Sequence, residues 1–121
     1  MVTVAAVLPT VRPEMLATFL QRWGEHPETV NIPLVVRPQL GTYEGFLRVM
    51  RPHRKLIRDV RYSEERQPVW RTRMQAVADF DDVDVWINVD DDMEVIPGMT
   101  SYAPMIEMVQ RPEIGVVSGA R

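Results

Sequence analysis

The sequence predicts an α/β fold in which a mostly parallel open sheet carries helices on both faces, as in Rossmann-like proteins. Short apolar segments rich in β-branched residues alternate along the chain with amphipathic segments of helical period. Residues 2–8 are almost continuously apolar, as strands buried on both faces are, and five of the seven residues 83–89 are Val, Ile or Trp. Most prolines and several glycines stand at the boundaries between segments. Strands that alternate with helices in this way pair in parallel through right-handed crossovers.

The first half of the chain predicts a strand, a helix and a second strand. The strand over residues 2–8 is closed by Pro9, and Pro13 occupies the first position of the helix that follows. Gly24 and Pro27 end that helix, and the second strand covers residues 32–36. The apolar positions of the helix recur at helical spacing and predict its buried face: Met15, Leu16, Phe19, Leu20 and Trp23.

The second half continues the alternation. We expect a short helix over residues 44–50, a third strand over 55–62, and a helix that opens near Pro68 and ends near Asp79. The buried stripe of this helix is predicted to be Trp70, Met74, Val77 and Ala78. After the strand over residues 83–89, Thr100 or Ser101 caps a last helix, and residues 114–117 form a final strand. One face of the last helix is formed by Tyr102, Met105, Ile106 and Val109.

Composition limits the class of protein. The 121 residues suit one domain, and the net charge of −3 gives no general attraction to nucleic acid. The chain has no cysteine, so neither disulfides nor thiolate metal sites can form. No segment approaches the length of a transmembrane helix, and the first residues lack the basic region of a signal peptide. We therefore expect a cytoplasmic protein.

Three consecutive carboxylates, Asp90, Asp91 and Asp92, follow the most hydrophobic predicted strand. Ligands of open α/β sheets bind beyond the carboxyl ends of such strands, and like charges there repel one another unless a cation neutralises them. Oxygen ligands suit a hard ion such as Mg²⁺ or Mn²⁺. Because residues two apart in an extended segment point the same way, Asp90 and Asp92 are the expected metal pair, with Asp91 facing elsewhere.

Two alternatives compete with this metal site. A solvated acidic loop between a strand and a Pro-Gly turn would show the same composition. A calcium loop of the EF-hand type fits poorly, because Val95 stands where that loop needs glycine and Ser101 where it needs a bidentate glutamate.

Charged residues elsewhere allow a surface or a functional interpretation. The segment from residue 48 to 61 is either a solvated charged face or a positively charged rim of a site, which attracts an anionic ligand. Arg71 and Arg73 lie near a helix N-terminus, where they are either phosphate ligands or ordinary surface arginines. We expect the four acids before the strand over residues 83–89 to be solvated. The basic segment holds Arg48, Arg51, His53, Arg54, Lys55, Arg58 and Arg61, and the four acids are Asp79, Asp81, Asp82 and Asp84.

With its elements in this order, the chain resembles the first half of a GT-A fold glycosyltransferase of the family-2 type, which uses nucleotide-diphosphate sugars. Residues 4–12 look like the opening strand of that family, which ends in Pro-Thr. Residues 71–78 look like its arginine-bearing helix, and residues 87–92 like the strand that ends in its DxD motif. Residues 114–119 are similar to the strand that follows the next helix.

The resemblance implies a metal-dependent glycosyltransferase, or its donor-binding half, acting on a UDP- or GDP-linked sugar and an unspecified acceptor. A divalent ion would stabilise the charge that develops on the departing diphosphate. The metal ligands implied are Asp90 and Asp92, with Mn²⁺ or Mg²⁺ as the ion. The implied nucleotide and diphosphate ligands are Pro9, Thr10, Arg12, Arg71, Arg73 and Asp90.

The chain departs from the family pattern in two places. Where the family has an acid that reads the base, after the second strand, this chain has Arg37, Pro38 and Gln39, and Asp59 is a candidate substitute. The acceptor half, with its catalytic base, follows the point where this sequence stops. We therefore expect a truncated, donor-binding domain that a homo-oligomer or a completing partner chain extends. A non-catalytic module for binding or assembly is the alternative, whereas nucleotidyltransferases are disfavoured because no glycine-rich loop follows the first strand.

Overall fold

A computed structural model of the chain describes residues 2–93 and 103–110. These residues form four strands, four α-helices and one 3-10 helix. In chain order the elements are β1 (Val4–Thr10), α1 (Pro13–Glu25), β2 (Leu34–Pro38), α2 (Tyr43–Met50), the 3-10 helix (Arg51–Leu56), β3 (Ile57–Val60), α3 (Val69–Asp79), β4 (Val85–Asn88) and α4 (Ala103–Val109).

The four strands form one sheet in the order β3-β2-β1-β4, and all three pairings are parallel. β1 is central, so that Ala6 lies opposite Leu34 of β2 and Ile87 of β4. The predicted α/β fold with a parallel sheet is therefore confirmed. The predicted strand over residues 114–117 and the predicted cap at Thr100 or Ser101 lie outside the described residues.

One face of the sheet packs against α1 and α2. Ala6 and Leu8 of β1 join Leu34 and Val36 of β2 in this core, and the neighbouring helices bury apolar side chains against them. The rings of Phe19 and Trp23 stack at a centroid distance of 5.3 Å. The predicted buried face of α1 is confirmed for four residues: Leu16, Phe19, Leu20 and Trp23. From α4, Met105 and Ile106 pack against the same core.

The connection from α1 to β2 is fixed by polar contacts of buried groups. The indole nitrogen of Trp23 donates to the carbonyl of Ile32 at 3.0 Å, and the hydroxyl of Thr29 donates to the carbonyl of Trp23 at 2.7 Å. Gly24 was predicted to end α1, but it lies inside the helix, which ends one residue later at Glu25. An added Cβ at Gly24 would approach Leu56 to 3.0 Å. Glycine at this position lets the helix pack closely against the 3-10 helix.

The second face of the sheet carries α3. Val7 and Val35 point to this side and form a smaller core with Ala76, against which Phe80 and Trp86 pack. The prediction of helices on both faces is thereby confirmed.

The predicted buried stripe of α3 is wrong. Thr72 and Ala76 are the buried residues of this helix, whereas Trp70 is 61% exposed and Met74 is 65% exposed. Val77 and Ala78 are exposed as well. The helix turns its small residues to the sheet and is held there by polar contacts, so its large apolar residues face outward.

β3 lies at one edge of the described sheet and is shorter than the predicted 55–62, because the 3-10 helix occupies residues up to Leu56. Its register against β2 shifts, since Ile57 lies opposite Leu34 and Asp59 opposite Val35. Arg58 is the extra residue of this bulge. A short, bulged and charged edge strand is protected against pairing with other chains.

Candidate functional site

The carboxyl ends of β1 and β4 meet at one edge of the sheet. From β1 the chain crosses to β2 on one side, while β4 pairs with β1 on the other side. The gap between β1 and β4 is therefore the topological switch point, where open α/β sheets bind their ligands. Thr10 ends β1 at this point, and Asp90 to Asp92 follow β4.

Thr10 and Asp91 contact each other across this gap. The hydroxyl of Thr10 donates to Oδ2 of Asp91 at 2.8 Å. Thr10 is 2% exposed, so the bond is made at the inner side of the edge. It holds the segment after β4 against the end of β1.

The three aspartates lie in a turn, which changes the expected arrangement of their side chains. β4 ends at Asn88, and the amide of Met93 donates to the carbonyl of Asp90 at 3.1 Å. The period of two residues holds only in an extended segment. Asp91, expected to face elsewhere, is therefore the carboxylate bound by Thr10, while Asp92 is exposed.

Of the two candidate arginines, the structure brings Arg73 to the site. Its Nη2 donates to Oδ1 of Asp90 at 3.0 Å, and its side chain is 26% exposed. Residues two apart in a helix point about 200° apart, so Arg71 must face another way. Arg71 is exposed and lies over the ring of Trp70, at 5.6 Å from its centroid.

Gln39, which the sequence argument had not assigned to the site, extends it toward β2. Its backbone amide donates to the carbonyl of Thr10 at 2.8 Å. Its side chain donates to Thr72 at 3.0 Å and accepts from the amide of Gln67 at 2.9 Å. Gln39 thus ties the strand ends to the helix that carries Arg73. The available sequence signal was its position directly after the second strand, at the same edge as Thr10.

Beside Gln39 lies a polar cavity of about 390 Å³ between the ends of β2 and β3 and the side of α3. Gln39 and Thr72 line it, together with Arg61, Ser63 and Gln75. Its size is in the range of pockets that bind small molecules. We call it the α3 cavity.

Arg37 balances the acids on this face of the sheet. The guanidinium, 7% exposed, lies 3.0 Å from Asp59 and 3.7 Å from Asp79. Arg61 contacts Asp79 at 2.9 Å. Asp59, the candidate substitute for a base-reading acid, is therefore engaged by Arg37.

The remaining predicted site residues, Pro9 and Arg12, lie at the end of β1 and just before α1. Pro9 and Thr10 are the last two residues of β1. Arg12 precedes α1 as its N-cap residue, and its side chain is exposed. Among the ion pairs found between described residues, none joins Arg12 to the aspartates.

The four acids that precede β4 are solvent-exposed, as expected, although Asp79, Asp82 and Asp84 have polar partners. Besides the contacts of Asp79, Asp82 accepts from Nη2 of Arg58 at 2.7 Å, and Asp84 accepts from the amide of Thr3 at 2.9 Å. The hydrogen bond from Arg58 lowers the pKa of the Asp82 carboxyl below its usual value.

The donor atoms set limits on metal binding. In residues 2–93 and 103–110, no three His, Cys, Asp or Glu side chains converge as a complete metal cage would require. Magnesium sites often use only one or two carboxylates together with phosphate oxygens, so the carboxylates at this edge fit such a site.

Among the described helices, none is long and apolar enough to cross a membrane.

Comparison with known proteins leaves the family open. A scan against protein-family models found no match, and a search of curated proteins found none either.

Proposed function

We propose that this chain binds a nucleotide-diphosphate sugar through a divalent ion and is the donor-binding part of a GT-A type glycosyltransferase. The observation that carries this proposal is the constellation at the switch point. There Thr10 binds Asp91 at 2.8 Å and Arg73 binds Asp90 at 3.0 Å. The site lies where the fold class binds ligands, and its residues come from three separate elements.

The charges at this edge favour a metal-dependent mode of binding. Three carboxylates follow β4, and among the ion pairs between described residues Arg73 pairs with Asp90. A diphosphate approaching this edge would be repelled unless a further cation lay between phosphate and carboxylate oxygens. Asp90, with Asp92 or Asp91, would hold Mn²⁺ or Mg²⁺, which would stabilise charge on the leaving diphosphate when bound.

Arg73 would contact the diphosphate. Its guanidinium already lies at the carboxylate edge, and arginine forms strong, charge-assisted hydrogen bonds with phosphate oxygens. Arg71 faces outward on the same helix and therefore serves as a matched control.

The α3 cavity is the candidate space for the nucleoside. The backbone bond between Gln39 and Thr10 connects it to the aspartate turn. Its lining offers amide and hydroxyl groups that suit the polar edge of a base or the hydroxyls of a ribose.

The test is calorimetric titration of UDP and GDP, with and without Mn²⁺, into wild type and five variants. Asp90→Asn and Arg73→Ala are expected to weaken binding by about tenfold or more, since each removes a charged partner of a ligand, while Arg71→Ala is expected to bind normally. Asp91→Asn and Asp92→Asn decide which aspartate completes the site.

Failure of the folded wild type to bind either nucleotide with Mn²⁺ would remove the donor site. Binding that needs no metal and survives in every asparagine variant would also contradict the proposal. In both cases the alternative, a non-catalytic module for binding or assembly, would take its place.

A further inference from the structure

The charge of the chain is unevenly distributed. Residues 44–61 contain six Lys or Arg side chains and two carboxylates, although the chain as a whole has a net charge of −3. This segment comprises α2, the 3-10 helix and β3. It therefore presents a local positive surface on an acidic protein.

An open, shallow groove of about 410 Å³ lies within this positive segment, alongside the edge strand β3. Its apolar lining is contributed by Leu47 and Met50 of α2 and by Ile57 and Val60 of β3. Arg51 and Arg54, both exposed, line it as well. We call it the edge groove.

Ion pairs distinguish the arginines of the segment. Arg48 lies 3.8 Å from Glu44, Arg58 pairs with Asp82, and Arg61 pairs with Asp79. None of the ion pairs found between described residues involves Arg51 or Arg54.

The two other charged residues that line the edge groove have partners elsewhere. Asp59 lies 3.0 Å from Arg37, and Arg58 binds Asp82 while its guanidinium lies 4.5 Å from the centre of the Phe80 ring. The charge that the groove offers to a ligand is therefore that of Arg51 and Arg54.

We propose that the edge groove binds one molecule of an anionic amphiphile, an alkyl or prenyl chain that ends in phosphate or carboxylate. The hydrocarbon chain would lie mainly on Leu47, Ile57 and Val60, where it removes apolar surface from water, since Met50 is already buried in the core. The anionic head would be bound by Arg51 and Arg54, since guanidinium groups form strong hydrogen bonds with phosphate and carboxylate. A ligand that lacked the hydrocarbon chain or the anionic head would bind only the arginines or only the apolar residues of the groove.

The volume of the groove supports a small molecule as the occupant. Pockets for small ligands commonly measure about 300–1,000 Å³, and the edge groove falls within that range. The bulge and the arginine at β3 disfavour an added peptide strand. The residues of the groove are distinct from those of the aspartate site, so this proposal stands or falls independently of the proposed function.

The experiment uses decyl phosphate below its critical micelle concentration, titrated calorimetrically into the full chain. Inorganic phosphate tests the head alone, and decyl maltoside tests the chain with a neutral head. We expect one decyl phosphate per chain, and binding at least about tenfold weaker for both comparison compounds. Raising the salt concentration should weaken binding, since exposed arginines are screened.

Three variants test the assigned residues. The double variant Arg51→Ala, Arg54→Ala should weaken binding by about tenfold or more, because both head-group ligands are lost. Leu47→Gln, at a position 37% exposed, should weaken binding without unfolding the protein. Arg48→Ala removes one positive charge from the same segment but leaves the groove lining intact, so it should bind as wild type does.

Two results would overturn the proposal. One is the absence of decyl phosphate binding by folded wild type, including the case in which the chain binds only to vesicles of anionic phospholipid. That case would show general attraction of a basic surface to a membrane. The other is a loss of binding free energy in Arg48→Ala, which removes one charge, that is at least half as large as in the double variant, which removes two; net charge and not the groove would then determine binding.

Discussion

The hydroxyl of Thr10 and the carboxylate of Asp91 lie 2.8 Å apart, although 81 positions separate the two residues in the sequence. Thr10 is the last residue of β1, and Asp91 lies in the turn that follows β4. The bond therefore fixes the aspartate turn to the central strand of the sheet. The second contact of the hydroxyl, with the carbonyl of Arg12 at 3.5 Å, is long.

Thr10→Val should lower the free energy of unfolding by about 1 kcal/mol, because the side chain keeps its shape but loses the donor to Asp91. Urea unfolding would measure this difference. Thr18→Val is the control: that hydroxyl binds Glu14 on the exposed side of α1, so a loss within about 0.5 kcal/mol is expected. Equal losses in the two variants would show that the Thr10–Asp91 bond has no special role in stability.

Gln39 and Thr72 form a second long-range contact, and both are 4% exposed. Gln39→Ala should lower the free energy of unfolding by about 1–3 kcal/mol, because the buried hydroxyl of Thr72 and the amide of Gln67 lose a partner. A double-mutant cycle with Thr72→Val should give a coupling energy of about 1 kcal/mol. Strict additivity of the two substitutions would contradict a direct interaction.

Much of the fold could be predicted from the sequence, because the hydrophobic period agrees with the positions of proline and glycine along most of the chain. The order of strands and helices, the parallel pairing and the buried face of α1 were all predictable in this way. The prediction failed on α3, where Trp70, Met74 and Val77 have helical spacing but face solvent. Period alone identifies an apolar face; it does not show that the face is covered.

The site was predictable in position and only partly in detail. Sheet topology places Thr10 beside the aspartates, as a strand-end argument expects. Which of Arg71 and Arg73 turns inward depends on the rotation of α3, which contacts to Gln39 and Asp90 determine. The orientation of Asp91 likewise depends on a contact that is distant in sequence, the hydrogen bond with Thr10. Leu40 has a φ of 65°, and the sequence did not predict this conformation because leucine rarely adopts it.

The effect of a substitution in α3 on stability should depend on whether the side chain faces solvent or the sheet. Met74→Gln should change the free energy of unfolding by less than about 0.5 kcal/mol, because the side chain is 65% exposed. Ala76→Leu, two residues along the same helix, should lower it by about 1–3 kcal/mol, since Ala76 is fully buried against Val7 and Val35. Thermal or urea unfolding of both variants would decide. The reverse ranking would show that the buried stripe predicted from the sequence was correct after all.

The pair formed by Arg58 and Asp82 should make stability depend on pH in the acid range. Nη2 of Arg58 lies 2.7 Å from both carboxylate oxygens, and this hydrogen bond lowers the pKa of Asp82 from its usual 3.8. A carboxyl with a lower pKa in the folded state stabilises the protein above the unfolded value and loses this contribution as pH falls through the folded value. The difference in unfolding free energy between wild type and Asp82→Asn should therefore be constant near neutral pH and shrink below about pH 3.8.

Urea unfolding at a series of pH values would give this curve for Asp82→Asn, with Asp81→Asn as the neighbouring acidic control. In Arg58→Gln, a carbon-detected NMR titration should find the pKa of Asp82 raised toward its usual value, because its largest cause of lowering has been removed. A pKa that stays low in Arg58→Gln, or an Asp82→Asn difference that persists unchanged to pH 2, would show that Arg58 does not determine the protonation of this carboxyl.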